Sequence, residues 1–337
     1  MFKGENPQMF KFHPPTFILF LSLILSSWAQ ADVSFSQVFV FGDSLSDTGN
    51  LASVIGDLPP PYFMNRASNG PVAVETLATR LGHTVQASLH LLGPEKGSNY
   101  AVAGASAFGL EPIDLTTQVI SFQANHVVAP SDALYVIFIG GNDIRDARDK
   151  RSLFIARSMV KAAAVKVRKA IENLSRAGAR SFLLVNSANI GLIPETRLLA
   201  AAGNSRLIER SSQLSQLYQD ELRKAVWYLK YTSKAKITEF NLFDFFNELV
   251  ENADQYDFSN TTDACFNSTD STYHPDCNLG ENVNQFIFFD EVHPTARVHA
   301  LVGEALYAAL NNANETSFGW YRFFSLLYPT YTPYQDQ

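Results

Sequence analysis

Residues 38–50 read VFVFGDSLSDTGN, and this stretch decides the class of fold. Its first four residues, from Val38, are consecutive and apolar, which is typical of a short strand buried on both faces of a sheet. Gly42 and Asp43 interrupt the strand, and Ser44 follows in a polar segment. Open α/β sheets bind their ligands outside the carboxyl ends of the strands, which is where this serine stands. An ordinary turn is the alternative, because Gly, Asp and Ser are common turn residues.

Strand and helix patterns alternate along the rest of the chain. Apolar runs predict strands over 133–139, 181–186 and 237–240, and a short strand running into a small-residue loop over 97–105. Amphipathic patterns predict helices over 71–81, 152–177, 204–230 and 295–311. Long helices between strands favour a mostly parallel sheet covered on both faces. Because no fixed repeat and no linker interrupts the pattern, we predict one three-layer α/β domain over residues 32–337.

Residues 1–31 have the pattern of a secretory signal peptide. Two lysines precede an apolar run at 16–27, and Ala29-Gln30-Ala31 provides the small residues of a cleavage site. The run is shorter than the roughly 20 apolar residues that span a bilayer, which disfavours an uncleaved anchor. We therefore expect cleavage before Asp32 and export to the periplasm or the medium.

Charge and cysteine content limit the partners. The 337-residue chain has a formal net charge of −7 and no evident basic patch, which argues against nucleic acid. Cys265 and Cys277 both lie in the exported part, where a pair of cysteines most simply forms a disulfide. A metal site built from these two residues and His274 is the alternative, but it lacks a fourth ligand and fits no common zinc spacing. We expect no metal and no cofactor.

A serine hydroxyl is an effective nucleophile only when a base accepts its proton and an acid orients that base. His293 is the best candidate base, because it follows the apolar run 286–289 and precedes the last predicted helix. Asp290 lies three residues earlier, so one turn of loop can hold its carboxylate against the imidazole. The other histidines of the exported part have less support and stay open as alternatives: His83, His90, His126, His274 and His299.

Hydrolysis of an ester also needs hydrogen-bond donors for the oxyanion that develops at the carbonyl. The side chain of Asn142 directly follows the strongest predicted strand, and Gly104 offers a backbone N–H without a Cβ in the way. The N–H of Ser44 would complete a set of three donors. Each of these segments can also be a plain turn.

Together the four strand-end segments resemble the GDSL family of the SGNH hydrolases, whose markers are a serine, a glycine, an asparagine and a histidine. Residues 42–50 resemble the first block in full. Gly104 matches the second block. Relatives often carry another glycine just before it, where this chain has Ala103, so the resemblance does not specify which backbone N–H of this loop faces the site. Asn142 matches the third block, and Asp290 with His293 matches the last. No Gly-x-Ser-x-Gly motif occurs, which argues against an ordinary α/β-hydrolase.

The resemblance implies a flavodoxin-like fold and ester hydrolysis through an acyl-enzyme. It assigns Ser44 as the nucleophile and His293 as the general base and then the general acid, with Asp290 orienting the histidine. It also implies that the N–H groups of Ser44 and Gly104 bind the oxyanion together with the Asn142 side chain.

Secreted family members of this size with a single late cysteine pair are often bacterial lysophospholipases, some of which transfer acyl chains to acceptors such as sterols. Others deacetylate polysaccharides, which is the alternative function, and a non-catalytic secreted binding protein is a remote one. The aromatic-rich segment at about 318–337 favours a lipid substrate and transient contact with a membrane surface. Packing of that segment against the domain is the alternative.

The segment between Cys265 and Cys277 is polar and lies shortly before Asp290. One interpretation is a small surface staple. The other is a tethered cover over the cleft, which an activating protease could cut without releasing either end.

Overall fold

The computed structural model describes Met1 and residues 33–311. Its centre is a sheet of four parallel strands, in the order β1 (Val38–Gly42), β2 (Leu134–Phe138), β3 (Ser181–Val185) and β4 (Lys236–Phe240). The first two strands are buried along their whole length, as expected for apolar strands with helices on both faces. The strands predicted from these apolar runs are confirmed.

A further segment, residues 98–102, pairs with the free edge of β1. The Val40 N–H donates to Ser98 O at 3.0 Å, and the Tyr100 N–H donates to Val40 O at 2.7 Å. A parallel bridge forms at Asn99 alone, so the strand predicted here is a pairing segment and not a regular strand. With this segment included, the order across the sheet is residues 98–102, β1, β2, β3 and β4. Numbered along the chain, this is the order 2-1-3-4-5 of flavodoxin-like folds.

Helices on the two faces complete three layers. The helical bounds are α1 (Asn50–Ile55), α2 (Ala73–Arg80), α3 (Leu115–Asn125), α4 (Gly141–Arg148), α5 (Leu153–Ala177), α6 (Pro194–Ala201), α7 (Leu207–Thr232), α8 (Leu242–Glu251) and α9 (Ala296–Asn311). The helix α2 packs against α9 in one group, and α5 packs against α3, α4 and α7 in the other. The protein therefore has a three-layer α/β fold with a parallel sheet.

Four short strands of the described part of the chain lie outside the central sheet. The strand β5 (Asn260–Ala264) pairs in parallel with β8 (Phe286–Phe288), and β6 (Phe266–Asn267) forms a small hairpin with β7 (Thr272–Tyr273). A disulfide between Cys265 and Cys277 encloses this hairpin, with the two Cα atoms 5.4 Å apart. The predicted disulfide is confirmed, and it leaves neither sulfur available as a metal ligand.

Apart from Met1, the predicted signal peptide (1–31) lies outside the described residues, and so does the aromatic-rich segment (318–337). Within the described part of the chain, no helix combines the length and the apolar character that a bilayer span requires.

Candidate active site

Ser44, His293 and Asp290 form a continuous chain of hydrogen bonds at the carboxyl edge of the sheet. The Ser44 hydroxyl lies 2.8 Å from His293 Nε2. On the other side of the ring, Nδ1 lies 2.8 and 2.9 Å from the two carboxylate oxygens of Asp290. Because an ionised carboxylate only accepts hydrogen bonds, Nδ1 carries the ring proton and Nε2 is free to accept the serine proton.

The turn after β1 holds Ser44 in this position. Asp43 closes the turn twice, since its carbonyl oxygen accepts from the Ser46 N–H at 3.0 Å and its carboxylate accepts from the Leu45 N–H at 3.0 Å. Among the described residues, the N–H of Ser44 itself donates to no protein acceptor. It is therefore free to donate to a ligand oxygen beside the hydroxyl.

Asn142 lies in the first turn of α4, which begins directly after β2. Gly140 makes this abrupt start possible, because its φ is +131° and a Cβ there would lie 2.3 Å from the ring of Tyr218. The Asn142 Nδ2 atom donates to Ala105 O at 2.8 Å. One N–H of the amide is thereby engaged, and the second is available to a ligand.

Gly104 lies in a tight turn that links the pairing segment to this amide. The turn is closed by a hydrogen bond of 3.1 Å from the Ala105 N–H to Val102 O, and Gly104 has a φ of +87° that favours glycine. The N–H of Ala103 donates to Asp47 Oδ2 at 2.8 Å. Within the described residues the N–H of Gly104 has no acceptor, so it is the unoccupied donor of this loop. Gly104 does not line the pocket that Ser44 and Asn142 share.

Asp290 and His293 each stabilise the charged form of the other. Burial disfavours the imidazolium of His293, but the charge and hydrogen bond of Asp290 outweigh burial and raise the pKa of the histidine. Burial alone would raise the pKa of Asp290. The charge and hydrogen bond of His293, with the N–H groups of Val292 and His293, lower it instead. The carboxylate is therefore ionised and favours the protonated form of the base.

Asp43 and Asp143 are two further buried acids near the serine, and their carboxylates accept hydrogen bonds from backbone N–H groups. Burial raises the pKa of Asp43 to about 6 and that of Asp143 to about 6. The carboxylate of Asp143 accepts from the N–H groups of Ala107 and Phe108 at 2.8 and 2.9 Å. These bonds attach the loop after Gly104 to the start of α4.

Sequence reasoning missed Tyr62 and Arg145. The Tyr62 hydroxyl donates to Asp290 Oδ2 at 2.9 Å, and no local pattern joins these two distant residues. The Arg145 Nη1 atom donates to Asn142 Oδ1 at 3.0 Å. Here a signal was present, because residues three apart on a helix lie on the same side.

Among the described residues, the other candidate histidines make no hydrogen bond to Ser44. His83 bonds to the carbonyl of Phe35 at 2.8 Å, and His126 lies 3.2 Å from Glu95. His299 lines the same pocket as Ser44, but its Nδ1 accepts from the Ala73 N–H, and burial followed by the charge of His293 lowers its pKa to about 3. A histidine so weakly basic is a poor general base at neutral pH.

An apolar pocket opens beside the serine and the histidine. It runs between the loop after β3, the helices α8 and α9, and the strand β8. Its apolar lining includes Ile190, Ile193, Leu242, Phe246, Phe288, Val292, Val298 and Val302. A pocket of this composition suits a hydrocarbon chain.

The disulfide-closed segment lies against the loop that carries Asp290 and His293. The Ser268 N–H and hydroxyl donate to the carboxylate of Glu291, the hydroxyl at 2.7 Å. The Phe266 N–H also donates to Phe289 O at 2.8 Å. No residue of this segment is among the described residues that line the apolar pocket.

A hydroxyl bonded to a carboxylate-oriented imidazole, with free N–H donors alongside, is an arrangement suited to acyl transfer. The chain matches the family of GDSL-like lipases and acylhydrolases over residues 38–306, and it belongs to that family. It is therefore a carboxylic ester hydrolase by class.

Two relatives illustrate the range of the family. The chain is 26% identical over 347 residues to the phosphatidylcholine-sterol acyltransferase of Aeromonas hydrophila, an alignment that covers 86% of this chain and 94% of the relative. It is also 26% identical over 322 residues to the inactive GDSL esterase/lipase-like protein 25 of Arabidopsis thaliana, covering 87% and 75%. Among solved structures, LAE5, an alpha/beta hydrolase enzyme from the metagenome of Lake Arreo, is 11% identical with a TM-score of 0.44, covering 84% of this chain and 98% of that chain.

Proposed function

We propose that this protein hydrolyses fatty acyl esters of lysophospholipids through an acyl-enzyme formed on Ser44. The single observation that carries the proposal is the hydrogen-bonded chain from the Ser44 hydroxyl through His293 to Asp290, at the mouth of an apolar pocket. The hydroxyl to be activated and the space for an acyl chain thus adjoin each other.

In the first half of the reaction, Ser44 Oγ attacks the ester carbonyl carbon while its proton passes to His293 Nε2. The negative charge on the carbonyl oxygen accepts hydrogen bonds from the N–H groups of Ser44 and Gly104 and from the Asn142 amide. When the tetrahedral intermediate collapses, the bond to the alkoxy group breaks, and His293 returns the proton to the departing alcohol. Asp290 stabilises the imidazolium throughout.

In the second half, a water molecule attacks the acyl-enzyme and gives a proton to His293. Collapse of the second intermediate releases the fatty acid and restores the Ser44 hydroxyl. An alcohol in place of water gives a new ester by the same steps, which is the acyltransferase side activity that we include in the proposal. The name of the Aeromonas hydrophila relative, a sterol acyltransferase, supports it.

The lining of the pocket supports a fatty acyl group over an acetyl group. Burying each methylene of a chain contributes about 0.8 kcal/mol, so the apolar lining favours an acyl chain longer than acetyl. An acetyl ester of a sugar would leave most of this lining without a partner. The acetylated polysaccharide therefore stands as the alternative substrate.

Rates on three substrates test the proposal: lysophosphatidylcholine, phosphatidylcholine and acetylated xylan. We expect the fastest release on lysophosphatidylcholine, and we expect Ser44→Ala to lower that rate by at least about 10⁴-fold while the protein stays folded. Faster release of acetate from xylan would favour the alternative. Undiminished activity of Ser44→Ala would overturn the assignment of the nucleophile, and no turnover of any ester would favour a binding protein.

Secretion and membrane contact belong to the same proposal. The disulfide between Cys265 and Cys277 supports an oxidising compartment. Amino-terminal sequencing of the exported protein should begin at Asp32. Removal of residues 318–337 should weaken binding to phosphatidylcholine vesicles if that segment contacts the membrane.

A further inference from the structure

The amide of Asn142 is held at both ends. Its nitrogen donates to Ala105 O at 2.8 Å, and its oxygen accepts from Arg145 Nη1 at 3.0 Å. Only the nitrogen of an amide can donate to an oxyanion, whereas the oxygen would repel it. The contact with Arg145 therefore favours the orientation in which the nitrogen is the end available to a substrate.

The guanidinium of Arg145 is itself clamped by Glu195, at the start of α6. The Nε and Nη2 atoms donate to the two carboxylate oxygens at 2.9 and 2.5 Å, which is a bidentate pair. The buried Arg148 holds the same carboxylate from another side, with Nη1 2.8 Å from Oε2. Burial would raise the pKa of Glu195, but the bonds and charges of Arg145 and Arg148 lower it, so the clamp stays ionised.

Glu195 also reaches the other half of the site. Its backbone N–H donates to the carbonyl oxygen of Glu291 at 2.8 Å, in the loop between Asp290 and His293. One residue thus connects the arginine that holds the amide donor to the loop that carries the base. The links are short, and most are charged, so they restrict the relative movement of the two groups.

We propose that Arg145 is a positioning residue for ester hydrolysis, acting through Asn142 by fixing its amide nitrogen towards the oxyanion. The inference rests on the proposed function. The contact should matter most when charge develops on the carbonyl oxygen, because the amide hydrogen bond strengthens in the transition state. Loss of Arg145 should therefore lower kcat and leave KM nearly unchanged.

A double-mutant cycle between Arg145→Met and Asn142→Ala tests the inference on the full chain. We expect Arg145→Met to lower kcat by about 10- to 100-fold and Asn142→Ala by about 10²- to 10³-fold. The charge of Arg145 also lowers the pKa of His293 directly, so the rates are compared on the alkaline plateau, where His293 is neutral in every variant. There the double variant should be no slower than Asn142→Ala alone, because the arginine acts through the amide. Arg145→Lys keeps the charge without the planar fork, and it should recover part of the loss.

Arg168→Met is the matched control, since Arg168 pairs with Glu172 and stacks on Tyr228 outside the pocket lining. It should leave kcat unchanged. If Arg145→Met fails to fold, Glu195→Gln is the second variant, because it weakens the clamp and should lower kcat in the same coupled manner. The positioning role would be overturned if the fold-losses in kcat of the two single variants multiply in the double variant. It would also be overturned if Arg145→Met raises KM and leaves kcat unchanged. That failure differs from failure of the proposed function, which would appear as undiminished activity in Ser44→Ala.

Discussion

Tyr62 and Asp290 are joined by a hydrogen bond of 2.9 Å although 228 residues separate them in the chain. The ring of Tyr62 also packs edge-on against Phe266 and Phe289, with centroids 6.0 and 5.4 Å away. Because Phe266 directly follows Cys265, the tyrosine connects the acid of the site to the disulfide-closed segment. Burial and the neighbouring carboxylate of Asp290 raise the pKa of Tyr62, so its hydroxyl is a stable donor.

Tyr62→Phe should shift the acid limb of the pH profile of kcat/KM to higher pH. Without the Tyr62 hydroxyl, the carboxylate of Asp290 interacts more strongly with the imidazolium of His293. The pKa of His293 should therefore rise. We expect a loss of about 1–2 kcal/mol in the free energy of unfolding and at most about a tenfold loss of kcat/KM at neutral pH. Tyr135→Phe is the control, because the Tyr135 hydroxyl donates to Pro130 O at 2.8 Å away from the pocket. An unchanged acid limb in Tyr62→Phe would contradict the prediction.

Activity of the unmodified protein should fall at acidic pH with a midpoint above 6.5, the ordinary pKa of histidine. His293 can accept the serine proton only when it is neutral, and Asp290 raises its pKa. Asp290→Asn removes the charge, so burial should then dominate and move the limb below 6.5, with a loss of roughly 10³- to 10⁴-fold in kcat. The measurement is kcat/KM from pH 5 to 9. A limb that stays in place in Asp290→Asn would contradict this interpretation.

Asp43→Asn should change how stability depends on pH. Burial raises the pKa of Asp43 from 3.8 to about 6, so the native state binds this proton more tightly than the unfolded state does. Its contribution is most favourable below pH 3.8 and is lost as the pH rises to about 6. Asn cannot ionise, so Asp43→Asn does not lose stability in this way. Between pH 3.8 and about 6, its free energy of unfolding relative to the unmodified protein should therefore rise, by up to about 3 kcal/mol. Urea unfolding at pH 4, 5, 6 and 7 measures it, and a constant difference would contradict it.

Cleavage within residues 266–276 distinguishes a tethered cover from a surface staple. The ties from Ser268 to Glu291 hold the segment beside the base, and the disulfide keeps both cut ends attached. We expect a cut, mapped by mass spectrometry, to raise turnover of long-chain lysophosphatidylcholine more than that of a short-chain ester. Glu291→Gln, with the chain intact, should move the rates in the same direction. Unchanged turnover after complete cleavage would leave the segment as a structural staple.

Much of the fold follows from local patterns. Apolar runs that end in polar residues identified β1 and β2, and therefore put Ser44 and Asn142 on one edge of a parallel sheet. The pairing of Asp290 with His293 follows from their separation of three positions in one loop. The segment near Asn99 was less well predicted, because whether short pairing extends into a strand depends on its neighbours.

The sequence by itself thus determined the class of fold, the candidate nucleophile, its base and acid, and the amide donor, because each depends on residues close in the chain. Only the tertiary structure decided which groups support them. Tyr62 reaches Asp290, and Glu195 reaches Arg145, through contacts between distant segments. Such contacts depend on how helices and loops pack over the sheet, and hydrophobic periodicity specifies the buried face of an element without specifying the partner of each polar side chain.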